Sequence, residues 1–151
     1  MAVERTFVMI KPDAVQRGIV GDIISRFEKK GIKLVAMKLV SVDRDLAEKH
    51  YGIHKGKAFF EPTVSYIISS PVVAMVLEGQ NAISMVRDMM GKTNPQEANM
   101  GTIRGDFGQF IGRNIVHGSD GADTAEFEIN LWFKPEEISK YKRIDEEWLT
   151  E

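Results

Sequence analysis

The chain has 151 residues, 43% of them hydrophobic, enough to bury one sizeable core and too few to divide comfortably into two. Twenty Lys and Arg against 22 Asp and Glu leave a formal charge of -2, which argues against a dedicated nucleic-acid or anionic-membrane surface. With no cysteine there is no disulfide framework, thiol nucleophile or cysteine-rich zinc site, and the expected compartment is the reducing cytoplasm.

The opening stretch MAVERTFVMI carries charges where a secretory signal needs its apolar core, and no run approaches the ~20 apolar residues of a membrane span. Residues 5–10 (RTFVMI) are apolar and stopped by Lys11-Pro12, because proline lacks a ladder donor; they read as a strand. Val20, Ile23, Ile24 and Phe27 fall at i, i+3, i+4 and i+7, which predicts an amphipathic helix over 20–30 with Gly31 as its stop. Residues 34–40 and 72–77 are near-continuous apolar runs of strand length, and 43–70 between them look helical but broken. Ala82, Met85, Val86 and Met89 repeat the helical spacing over 81–90, and 114–117 give a short fourth strand.

This order predicts an α/β chain of the α+β kind: a ferredoxin-like split βαβ sandwich, with two helices covering one face of a four-stranded antiparallel sheet. Residues 1–151 are expected to form one domain. Between Gly91 and Arg113 there is no periodicity, and a loop that long in a small domain is usually functional or disordered.

Two fragments mislead. Asp106-Phe107-Gly108 spells the protein-kinase DFG, yet the catalytic loop and glycine-rich strands of that fold are missing. Gly91-Lys92-Thr93 resembles the end of a P-loop, but position 86 is valine where the cradle needs its first glycine. His50 and His54 are spaced i, i+4, with His117 as a conceivable third ligand. Gly52 weakens the helix there, however, and the pair reads better as solvated side chains.

The octapeptide NIVHGSDG (114–121) is different in kind. Ile115 and Val116 should pin a strand, leaving His117 at its end, with Gly118 permitting a turn and Ser119-Asp120 offering caps for the next helix. Alone, it fits a satisfied core or turn histidine at least as well as a reactive one. Lys11, Arg87 and Arg104, with Thr93, sit at element ends or in the long loop, where one cleft could gather cations for a phosphate. Glu128, eleven residues after His117, could orient its imidazole as carboxylates do in nucleophilic sites, or could be an exposed helix glutamate.

At these residues the chain resembles the nucleoside diphosphate kinase family over essentially its full length. The segments ERTFVMIKPDAVQRGIVGDII, HY followed by FF, VRDMMGKTNP, GTIRGDF, NIVHGSDG and AEFEINLWF occur in the family's order and spacing. The resemblance implies ping-pong transfer of the γ-phosphate of a nucleoside triphosphate to a nucleoside diphosphate through a phosphohistidine at His117, with Mg²⁺ held mainly by the nucleotide phosphates.

It also implies that Lys11 and Asn114 contact the ribose, that Arg87, Thr93 and Arg104 hold the phosphates, and that Tyr51, Glu128 and Ser119 position His117. Phe59 and Ile111 would sandwich the base, although Thr63 stands where an aliphatic neighbour is expected. Residues 134–151 resemble the C-terminal extension of the family's longer chains, and with Pro95 they favour a homohexamer over a tetramer. Two other readings compete with the enzyme. A nucleotide-binding module on the same fold predicts a damaged constellation, and none is visible; a metal hydrolase using the three histidines would survive loss of His117 and fail on zinc removal.

Overall fold

Side-chain alternation in the first strand decides the layers. In the computed structural model, which describes residues 3–151, the strand β1 (Val3–Ile10) sends Phe7 and Met9 into one apolar cluster and Val8 and Ile10 into another. Both faces of the sheet are therefore covered, which is why β1 reads as a continuous apolar run rather than an alternating one.

After β1 come the short helix α1 (Pro12–Gln16), the predicted helix α2 (Val20–Lys29) and the strand β2 (Lys33–Val40). The broken 43–70 segment resolves into α3 (Arg44–His50), a single 3-10 turn at Gly52–His54, and α4 (Phe60–Ile68). Then follow β3 (Val72–Gln80), α5 (Ala82–Met90), α6 (Ile103–Phe107), β4 (Val116–Gly118) and α7 (Ala122–Trp132). The sheet order is β2-β3-β1-β4 with every neighbouring pair antiparallel, the order of the split βαβ sandwich.

The expectation that helices cover one face is only half of the arrangement. Ile23 and Phe27 of α2 and Val86 and Met90 of α5 close the face of Val8 and Ile10, as the periodicity required. The other face is closed by Ala47 of α3, Val64 and Ile67 of α4, and Ile129 and Trp132 of α7. The first two of those helices are the broken helical segment expected over 43–70, interrupted by the 3-10 turn and its glycines.

The loop from 91 to 113 is not irregular throughout. Thr102 caps α6, its side chain accepting the Gly105 N–H, and a five-residue helix is too short to show a periodic repeat. The kinase-like Asp106 has a local task here: it takes Arg26 at 2.6 Å and the Gly101 N–H at 2.9 Å, tying α6 to α2.

At the other end of the sheet, β2 is an edge strand, and a bulge at Val35 leaves its carbonyl outside the ladder. The C-terminal segment uses it. Ser139 donates to the Val35 carbonyl at 2.8 Å, Tyr141 donates to the Leu34 carbonyl, and Lys33 pairs with Glu146 at 2.9 Å. An edge that would otherwise offer unpaired backbone is thus covered by the chain's own tail.

Gly105 is the tightest point of the 91–113 segment, because a Cβ there would lie 2.0 Å from the Asn99 carbonyl oxygen. Gly105→Ala is expected to destabilise the fold by about 1–3 kcal/mol through overpacking against backbone that has little room to move. Urea denaturation of the variant checks this, and an unchanged midpoint would show that the segment yields freely.

Candidate active site

His117 is placed by pairing. It lies opposite Met9 in the β1–β4 ladder, so its side chain shares the Phe7 and Met9 face, over α7 and α3. The approach is strained. Ile115 is fully buried with φ 78°, and the Val116 N–H reaches back to the Asn114 carbonyl at 2.8 Å, a γ-turn of the unfavourable hand. A β-branched residue in that region persists only where its surroundings hold it, and the Ile115 carbonyl is bonded by the Lys11 N–H at 2.8 Å.

Helix α7 presents Ala125, Glu128, Ile129 and Trp132 to the core at i, i+3, i+4 and i+7, so a carboxylate occupies a core position of an amphipathic helix. Glu128 is 4% exposed and fully engaged. Its Oε2 lies 2.9 Å from His117 Nε2, and its Oε1 accepts the Ser119 hydroxyl at 2.6 Å. A carboxylate only accepts, so the His117 proton sits on Nε2 and Nδ1 keeps its lone pair.

A cavity of about 680 Å³ opens beside this pair, lined among others by Lys11, Tyr51, Arg87, Thr93, Arg104, Asn114, Asp120 and Asp123. Lys11 donates to Asn114 Oδ1 at 2.7 Å, and Asn114 donates to the Thr93 carbonyl at 3.1 Å, so three elements are locked at one corner. Arg104 is buried and bonds the carbonyls of Gly91, Asn114 and Val116 at 2.9, 3.2 and 2.6 Å. Arg87 reaches the Gly118 carbonyl at 3.4 Å.

Burial, and secondarily the charge of Arg104, lower the Lys11 pKa from 10.5 to about 8. Burial and then Arg87 bring Arg104 down to about 10, which leaves it a cation at neutral pH. Burial followed by the Glu128 charge raises Tyr51, so its phenol stays protonated, and its hydroxyl is a buried donor without a partner. The cleft therefore holds concentrated positive charge and an idle donor, the complement of a polyanion.

Comparison with known proteins decides what kind of cleft this is. The family model for nucleoside diphosphate kinase matches residues 4–138. A nucleoside diphosphate kinase of Desulfitobacterium hafniense is 64% identical over 148 residues, covering 98% of this chain and 99% of that one, and one from a Picosynechococcus is 61% identical over the same shares. The chain belongs to the nucleoside diphosphate kinase family.

The solved structure of the Halobacterium salinarum nucleoside diphosphate kinase in complex with CDP superposes with a TM-score of 0.97 at 49% identity, covering 99% of this chain and 100% of that one. A family protein from Babesia bovis gives 0.95 at 45% identity over 97% and 99%. As a member of the family the chain is an enzyme, a phosphotransferase.

Of the residues singled out from sequence, the fold gathers Lys11, Tyr51, Arg87, Thr93, Arg104, Asn114, His117 and Glu128 at one cavity, with Ser119 behind it. Phe59 and Ile111 are not on that lining; both are about half exposed, and Phe59 lies against His54 with ring centroids 5.0 Å apart.

Three local expectations need correction. Ser119 and Asp120 do not cap α7, whose N-cap is Gly121 without a side-chain bond, because Ser119 accepts the Phe7 N–H and donates to Glu128. Gly118 is a strand residue, and a Cβ there would press on Met90, so its value is space rather than a turn. His50 is not solvated: it is buried, and its Nδ1 accepts the Trp132 indole N–H at 3.0 Å. Its position three residues after buried Ala47 on α3 was the available signal, and nothing local pointed to Trp132.

Lys11 also yields a pH prediction. In the folded chain it releases its proton near pH 8, whereas the unfolded chain holds it to 10.5. The unfolded state then binds more protons between those values, so stability rises with pH across that window. Lys11→Met is expected to abolish the rise; thermal melting of both proteins at about pH 7.5 and about pH 10 would expose an unchanged slope.

Proposed function

We propose that His117 is the nucleophile with which this chain carries the γ-phosphoryl group of a nucleoside triphosphate to a nucleoside diphosphate. The observation that carries the reading is the Glu128 bond to Nε2, which leaves Nδ1 unprotonated beside three fixed cations. In the first step Nδ1 attacks the γ-phosphorus, an N–P bond forms, and the bridging P–O bond breaks with its electron pair leaving on the nucleoside diphosphate. In the second, the oxygen of an incoming diphosphate takes the phosphoryl group and His117 is restored. Glu128 offsets the positive charge that the ring acquires, and one cleft serves both nucleotides in turn.

The other groups take the roles that the family resemblance implies. Arg87, Arg104 and Thr93 hold phosphate oxygens, Lys11 meets the transferred group and, with Asn114, the ribose, and the Tyr51 hydroxyl donates near His117. Phe59 and Ile111, both half exposed, stack on the base in this reading, and stacking without edge recognition accepts many bases.

Mg²⁺ is the divalent ion of this reading. Phosphoryl transfer between nucleotides generally calls for one, and the cavity lining offers only Asp120 and Asp123 besides the engaged Glu128, which suits an ion bound chiefly through substrate phosphates. Held so, it would neutralise charge on the phosphates.

Residues 1–151 act as one domain, with 134–151 an extension, and the chain assembles as a homohexamer in the cytoplasm. Trp148 and Ile144 of the extension, 83% and 98% exposed, support assembly, since a free monomer leaves them in water. No described helix is long and apolar enough to cross a membrane.

Incubation with γ-labelled ATP and Mg²⁺, without acceptor, should place an acid-labile, alkali-stable label on His117 that GDP removes as GTP. His117→Gly is expected to take no label while nucleotide affinity falls little, because the cations remain. Comparable loss of binding and turnover would count against the assignment. Lys11→Ala should lower turnover more than it weakens nucleotide binding; a change confined to affinity would make Lys11 a binding group only.

A further inference from the structure

Behind His117 lies a buried chain of polar groups that the transfer reaction does not itself use. His50 sits on α3 with its side chain almost fully buried, its ring meeting the His117 ring edge-on at 4.8 Å between centroids. Phe7 packs against both rings, at 5.9 and 6.0 Å. Nε2 of His50 lies 3.6 Å from Glu128 Oε2, the oxygen that also takes His117.

The ligand atoms of His50, His117 and Glu128 fall within 4.8 Å of one another, which invites a metal-site reading. Trp132 argues against it. An indole N–H only donates, so the His50 Nδ1 that receives it at 3.0 Å carries no proton, and the neutral ring must carry its proton on Nε2. A metal at Nε2 would require His50 to lose that proton as well and become an imidazolate. The same logic puts the His50 proton on Nε2, the atom 3.6 Å from the Glu128 carboxylate. Burial, with His117 and Lys11 nearby, holds the His50 pKa well below 6.5, which keeps the ring neutral and the tautomer single.

We propose that His50 and Trp132 are positioning residues that set the orientation and tautomer of His117 through Glu128. Trp132 fixes the His50 tautomer; the His50 Nε2–H dipole steadies the negative Oε2; and the His50 ring walls off the path along which His117 would swing away. This rests on His117 being the nucleophile.

The test compares the full-length wild type with His50→Phe, His50→Gln and Trp132→Phe. Ring ¹⁵N resonances of the histidines and single-turnover labelling of His117 by ATP are both read. His50→Phe keeps the bulk and loses the donor: His117 is expected to lose its pure Nε2–H tautomer and label roughly tenfold more slowly, with ATP affinity unchanged. Gln places an N–H close to the position of Nε2, so His50→Gln should restore the tautomer and bring the rate within about threefold of wild type.

Equal loss in the Phe and Gln variants would mean a packing role only, and no effect of His50→Phe would mean no role; either overturns the proposal. Trp132→Phe is an independent arm, read on His50 itself. Its resonances should leave the Nε2–H position, and an unmoved tautomer there overturns the relay. A wild type that takes no label on His117 removes the nucleophile reading, and the inference falls with it.

Discussion

A carboxylate buried in the core is the constraint around which this protein is arranged. Glu128 occupies a position on α7 where the pattern of neighbours calls for an apolar side chain, and an unpaired charge there would be strongly destabilising. It is tolerated because donors converge on it from β4 and from the turn after it, while α3 supplies a polarised ring at longer range. Each donor is in turn committed elsewhere. Ser119 takes the Phe7 N–H, His117 is held in register by Met9, and His50 is held by Trp132. Rotating α7 or slipping β4 by one residue would strand the charge, so the same group that directs the imidazole also selects the packing around it.

The cationic half of the cleft is built on the opposite logic. Arg104 has no carboxylate partner among the described residues; its guanidinium is held by three backbone carbonyls, and Lys11 is held by an amide oxygen. Carbonyl dipoles fix geometry without neutralising charge, so the positive field stays available to whatever enters. The lowered pKa values of both groups are the cost of that arrangement, and an incoming polyphosphate relieves it. Strain at Ile115 belongs to the same economy of placement, since its turn carries Asn114 toward Lys11 and delivers Val116 into the sheet.

Much of this was legible residue by residue. The apolar runs gave the strands, helical spacing gave α2 and α5, and the types and element-end positions of Lys11, Arg87, Arg104 and His117 singled them out before any geometry was known. What stayed hidden depends on partners distant in the chain. His50 reads as a solvated residue near a helix-weakening glycine until Trp132, 82 residues away, is brought beside it. Ser119 looks like a cap until Glu128 claims its hydroxyl. Helix α6 is one short turn of structure whose stability comes from Thr102 and from the carbonyls around Arg104, and neither leaves a periodic trace. Gly118 matters for room beside Met90, a property of the packing that no local pattern records.

The topology also sets an order of assembly during synthesis. β1 leaves the ribosome first, yet its central place in the sheet is completed only by β4, so Lys11 waits for an Asn114 that lies 103 residues behind it, and Phe7 for a Ser119 that lies 112 behind. Contacts of such separation close late and slow the folding of a nascent chain. A polypeptide interrupted before α7 would therefore carry all four strands and all three cations while lacking the carboxylate bonded to the histidine. The carboxylate beside His117 is added only after every strand and all three cations have been made.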